Sequence, residues 1–113
     1  MRLALEPDIL VVGEAGDTEK AINDLPAIGP DVVLMDIELP GADGIAATAW
    51  LHSHLPGCAV IMLSIRGDRL CRERAREAGA AAFIEKQAGD QALLAAIRSL
   101  GRHERRCTQT TEQ

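Results

Sequence analysis

Aromatic side chains are nearly absent: the chain carries one Trp, one Phe and no Tyr in 113 residues. An aromatic core is therefore excluded, and Ala, Leu, Ile and Val must fill the interior. No stretch approaches the ~18 apolar residues of a membrane span, and no signal peptide opens the chain. Cysteine is scarce and odd in number: Cys58, Cys71 and Cys107 lack CxxC spacing. That pattern argues against a disulfide framework and for free thiols in a reducing cytosol. What is present is ordinary globular material, 47% apolar and 26% charged, in a length that builds one domain with one core. The net charge of −5 hides an asymmetry. Residues 1–57 hold two basic and ten acidic side chains, and residues 58–113 hold ten basic and seven acidic. Opposed halves can steer a charged partner, although mixed helix surfaces give the same count.

The apolar period changes repeatedly along the chain. The runs ILVVGEA (9–15), VVLMD (32–36), AVIMLS (59–64) and AAFIEK (81–86) are short and rich in apolar residues, as strands covered on both faces are. Helical patterns separate them. Asp17 can cap a helix carrying Ala21, Ile22 and Leu25, which stops before Pro26. Asp43 can cap a second, with Ile45, Ala46, Ala49 and Trp50 on one face, ending before Pro56. Asp68 can cap a third, with Cys71, Ala75 and Ala78 in helical register and Gly79 as its stop. A last helix from about Asp90 presents Leu93, Leu94, Ile97 and Leu100. Strands alternating with helices predict an α/β, doubly wound parallel sheet spanning residues 1–100. Residues 101–113 show no apolar period and are expected to form a flexible tail.

In such sheets chemistry gathers beyond the carboxyl ends of the strands. Three of the four strands end there on a reactive group: Asp36, Ser64 and Lys86. One strand-end carboxylate alone is as readily a helix cap or a solvated loop residue; three consecutive polar ends are harder to dismiss. An aspartate can attack phosphorus and carry an acyl phosphate. The transferred group spreads negative charge over its oxygens, which an ammonium and a hydroxyl donor would stabilise. Gly41 and Gly44 relax the loop after Asp36, where backbone amides can approach.

The run Asp36-Ile37-Glu38-Leu39-Pro40-Gly41-Ala42-Asp43-Gly44, with Ser64 and Lys86 at their spacings, resembles the receiver domain of two-component response regulators. This is the CheY-like, flavodoxin-like fold, and the likeness runs from about Glu6 to Leu100. EPDILVVGEAGD and PDVVLMDIELPGADG resemble the subfamily usually linked to a LuxR-type helix-turn-helix domain. The resemblance implies phosphorelay signalling in the cytoplasm and a sensor histidine kinase as partner, with a homodimer as a further association. It implies a signalling protein rather than an enzyme. Asp36 would be the phosphoacceptor, with Ser64 and Lys86 stabilising the phosphate. Phe83 falls where the family keeps a switch aromatic, and serves equally as the one Phe of an Ala-rich core.

The family also implies Mg²⁺, held by an acidic pair that ends its first strand. Here MRLALEPDI reads as the last turn of the first helix, so the first strand, most of the first helix and the acidic pair are missing. Asp36 and the Glu38 backbone carbonyl remain as ligands, which predicts weak Mg²⁺ binding and impaired phosphotransfer. The absent strand also leaves a gap between ILVVGEA and VVLMD, at about 1–3 kcal/mol per unsatisfied buried group. Three outcomes are open. ILVVGEA moves across and brings Glu14 and Asp17 toward the metal as substitute ligands, another chain covers the gap, or the fold is unstable.

Two rival functions share features with this one. A haloacid-dehalogenase-like phosphatase also uses Asp, Ser/Thr and Lys at strand ends, but wants a D-x-D motif where this chain has Asp36-Ile37-Glu38. A pseudo-receiver that only binds partners would use its last two helices. There Arg66, Arg69, Arg72, Arg74 and Arg76 alternate with Glu73 and Glu77, although helical ion pairs on a solvated face explain the same run. No DNA-binding domain follows Leu100, so no direct DNA binding is expected. Arg102, Arg105 and Arg106 read as a solvated helix end. His52 and His54 diverge at i, i+2, His103 lies in the tail, and Trp50 packs on its helix.

Overall fold

The structure is a computed structural model that describes residues 9–15, 18–37, 44–65, 67–100 and 105–110. Chain order runs β1 (Ile9–Ala15), α1 (Thr18–Ile28), β2 (Val32–Asp36), α2 (Gly44–His54), β3 (Ala59–Ser64), α3 (Arg69–Glu77), β4 (Ala82–Glu85), a 3-10 turn (Lys86–Ala88), α4 (Asp90–Ser99) and β5 (Arg105–Thr110). Four strands and four helices fall where the apolar periods put them. All pairings are parallel, and the sheet order is β1-β5-β2-β3-β4.

Alternation along β2 divides the interior in two, because successive side chains leave opposite faces of a strand. Val33 and Met35 join Val60 and Met62 beneath Leu25 of α1, Ala47 and Leu51 of α2, and Ala75 of α3. Val32 and Leu34 join Ile61 and Leu63 beneath Leu93 and Ile97 of α4. Among the described residues, then, three helices cover one face and one covers the other. β2 is buried along its whole length, which is why it reads as an uninterrupted apolar run closed by Asp36.

Helix ends follow local chemistry. The Asp68 carboxylate accepts from the Cys71 N–H at 2.8 Å and caps α3 as its sequence predicts. α3 closes ahead of Gly79, whose φ of +103° suits a residue without a Cβ. At α1 the structure differs from the expected stop before Pro26, since the helix continues through it to Ile28. A proline there forfeits one N–H in the last turn, while the Gly29 N–H still bonds the Leu25 carbonyl at 2.9 Å and φ of +61° turns the chain away. The caps placed at Asp17 and Asp43 lie outside the described residues.

The largest departure is the tail. Residues 105–110, expected to fray with the rest of 101–113, form β5 between β1 and β2. Ile9–Ala15 pair with Arg105–Thr110 on one side, with a register shift between Val11 and Gly13. Val32–Leu34 pair with Cys107–Gln109 on the other. β1 therefore does not move across to β2: the chain's own C-terminal segment lies between them. The physical reason lies in the backbone. Unpaired inner edges of β1 and β2 would strand donors and acceptors, and any extended segment can satisfy them whatever its side chains.

Cys58 is buried and Cys71 half-buried, both as thiols rather than disulfides. Burial, aided by the negative charge of Asp31, pushes the Cys58 thiol from 9.0 up to about 11. That rise lowers its thiolate fraction about 100-fold near neutral pH. Iodoacetamide at pH 8 is expected to label Cys71 well before Cys58, read by peptide mass spectrometry, and urea should abolish the difference. Because the folded thiol holds its proton more tightly than the unfolded one, its contribution to stability is full below pH 9.0 and is lost as pH rises through about 11.

Candidate functional site

Parallel strands bring their carboxyl ends to one rim, and the register fixes who meets whom there. Asp36 closes β2 opposite Leu63, and Ser64 closes β3 opposite Glu85, with Lys86 the next residue after β4. Ser64 thus sits on the strand between the two that carry the charges. The Ile37 N–H bonds the Leu63 carbonyl at 2.9 Å, extending the β2–β3 ladder one step past Asp36.

Lys86 reaches across β3 to Asp36. Its ammonium donates to Asp36 Oδ2 at 2.7 Å, with the lysine side chain 31% exposed and the aspartate 9%. This is a charge-assisted bond at the short end of its range, made where little water competes. Ser64 is buried at 1% exposure. The amino end of α2 abuts the same rim: Gly44 is buried, and a Cβ there would stand 3.5 Å from the Ile37 Cα and 3.6 Å from the Asp36 carbonyl oxygen. The positive end of that helix dipole favours an anion nearby.

Phe83, on β4, is half-buried against the cluster beneath α1–α3. The Arg72 guanidinium lies over its ring, 4.8 Å from the centroid. Arg72 also donates to the Gly67 carbonyl at 3.1 Å and to Glu85 at 3.3 Å, so it ties the loop after β3 to the end of β4. A Cβ at Gly67 would collide with the Glu85 side chain. Sequence reasoning placed Arg72 on a solvated helical face and missed this contact. The residues joined lie on α3, β4 and the loop after β3, and no helical period links them.

Glu38 and Gly41 lie outside the described residues, as does Asp17. Glu14 sits on β1, level with Gln109 of β5 and so two strands away from β2. Among the described residues no group of three or more His, Cys, Asp or Glu could hold a metal. Asp36 with its lysine partner is not by itself the near-octahedral oxygen set that Mg²⁺ demands.

Residues 1–98 match the family described as the response regulator receiver domain. The chain belongs to the response regulator receiver family. It is 38% identical over 99 residues to the transcriptional regulatory protein UhpA of Escherichia coli (strain K12), covering 87% of this chain and 48% of that protein. It is 34% identical over 96 residues to the transcriptional regulatory protein DegU of Brevibacillus brevis, covering 85% and 41%. The chain spans less than half the length of these curated relatives. The signal receiver domain of the putative response regulator NarL from Mycobacterium tuberculosis superposes with a TM-score of 0.78 at 31% identity, over 88% of this chain and 82% of that one. The receiver of Thermotoga maritima CheB gives a TM-score of 0.75 at 29% identity, over 87% and 81%.

This receiver thus has the CheY-like fold of two-component signalling and resembles LuxR- and NarL-type regulators. Receivers of this kind generally bind Mg²⁺ at the phosphorylation site and are phosphorylated by sensor histidine kinases. The matched segment stops at residue 98, short of β5. No helix among the described residues is long and apolar enough to cross a membrane.

Proposed function

We propose that this receiver works in the cytoplasm as a phosphorelay acceptor, taking a phosphoryl group on Asp36 from a sensor histidine kinase. The observation that carries the reading is the Lys86–Asp36 pair, 2.7 Å long at a buried strand end. In the transfer, an Asp36 carboxylate oxygen attacks phosphorus in line with the departing imidazole nitrogen of phosphohistidine. The O–P bond forms as the N–P bond breaks, and the electron pair returns to the imidazole, which takes up a proton. Lys86 moves from the carboxylate to the incoming phosphoryl oxygens, and Ser64 donates its hydroxyl to one of them. Phe83, loaded by Arg72, would report the change along β4. A homodimer is the further association this reading carries.

With Asp36 and the Glu38 backbone carbonyl as the remaining ligands, we place metal affinity low and transfer slow. Incubation with acetyl phosphate, with and without Mg²⁺, tests the whole reading. An acid-stable, hydroxylamine-labile adduct should form on Asp36 and be absent from Asp36→Asn. A folded chain that gains no adduct would instead be a pseudo-receiver, a protein-interaction module whose aspartate stays locked to Lys86. Calorimetric Mg²⁺ affinity at millimolar level or better would overturn the low-metal expectation.

A further inference from the structure

Lys86 leaves the sheet at its edge. β4 closes the order β1-β5-β2-β3-β4, so among the described strands it pairs with β3 alone, over Ala82–Glu85. A residue just past the end of an edge strand has no second strand to fix it. The turn it opens supplies no side-chain cap either: Glu85 heads the 3-10 turn Lys86–Ala88 without a cap bond to it. The Glu85 carboxylate is engaged elsewhere. Its Oε1 accepts from Arg72 at 3.3 Å and its Oε2 from the Gln87 amide at 3.3 Å.

One guanidinium ties this edge to β3. Arg72 Nε donates to the carbonyl of Gly67, which follows Ser64 in the loop after β3. Another nitrogen of the same group holds Glu85, the residue before Lys86 and the register partner of Ser64. Its face lies over Phe83 on β4. The loop is seated so closely that a Cβ on Gly67 has no room beside Glu85. A lysine could not make this set, since a point charge has neither the fork nor the flat face. With the Arg72 side chain 47% exposed and that of Glu85 31%, the pair adds little to folding stability. What it fixes is the spacing between the two strand ends that deliver Ser64 and Lys86.

We infer that Arg72 is a positioning residue for phosphoryl transfer to Asp36. By clamping Gly67 to Glu85 and Phe83, it holds the Ser64 hydroxyl and the Lys86 ammonium in register for the incoming phosphoryl oxygens. The inference rests on the acceptor role proposed for Asp36. Stabilising groups act by being in place before charge develops, so slack between them costs rate and not fold.

The test is the rate of Asp36 adduct formation in the full chain, with acetyl phosphate as donor and Mg²⁺ present, beside urea unfolding. Arg72→Gln should lower the maximal rate about tenfold, short of the roughly hundredfold that a misplaced reacting group costs. The half-saturating acetyl phosphate concentration and the urea midpoint should not change. Glu85→Gln loosens the clamp from its other end and should also slow the reaction. Both changes together should be no slower than Arg72→Gln alone, the mark of a shared interaction. In a Lys86→Met background, where a group it positions is gone, Arg72→Gln should cost less than about threefold. An Arg72→Gln chain as fast as the parent overturns the inference, as does equal slowing with and without Lys86. Slowing that matches the unfolded fraction makes Arg72 merely structural and overturns it too. Should Arg72→Gln fail to fold, Glu85→Gln carries the same comparison, and a parental rate there is equally fatal. A parent that gains no adduct fails the acceptor reading itself, and the positioning role falls with it.

Discussion

Thr108→Pro is expected to lower folding stability by about 3 kcal/mol or more, although the substitution lies beyond the family-matched segment. Thr108 pairs with Val33 on one side and Gly13 on the other. Proline there removes a ladder donor, and its ring crowds a neighbouring strand, so β1 and β2 both lose register. A domain of this size commonly has only about 5–15 kcal/mol in total, so the loss should be plain as a lower urea midpoint by circular dichroism. Thr108→Val keeps the N–H and a β-branched side chain, and should stay within about 0.5 kcal/mol of the parent. Equal midpoints for Thr108→Pro and the parent would mean that residues 105–110 do not complete the sheet in solution.

Lys86→Met should act on both stability and chemistry. It leaves the Asp36 carboxylate buried at a strand end without the ammonium now 2.7 Å away. Breaking a fully buried pair costs about 3–5 kcal/mol, but Lys86 is 31% exposed and water screens part of the loss, so about 1–3 is expected. Adding Asp36→Asn to Lys86→Met should restore much of that stability, because the uncompensated charge is gone. Formation of the acetyl-phosphate adduct should slow by about 100- to 1,000-fold in Lys86→Met, the usual effect of removing one stabilising donor. Paired unfolding and adduct-rate measurements check both halves. A variant as stable and as fast as the parent would remove Lys86 from the site.

Much of this was legible before any coordinates. β2 and β3 declare themselves as continuous apolar runs because both faces are covered. Their parallel order follows from the helices between them, and it brings Asp36, Ser64 and Lys86 to one rim. Less legible were contacts that depend on distant partners. Arg72 looks like one more charge on a polar helix, and only the packing of α3 beside β4 sets it over Phe83. Pro26 looks like a stop, yet α1 tolerates it because the last turn still closes through Gly29.

Side-chain period, written residue by residue, settled strands β1 to β4, the helices between them and the charged rim. Which segment lies between β1 and β2 was settled only in three dimensions. Backbone donors and acceptors on β1 and β2 must be paired, and they accept an extended partner without regard to its side chains. RRCTQT carries no apolar signal to announce it, so its place follows from the edges it satisfies and not from its own composition.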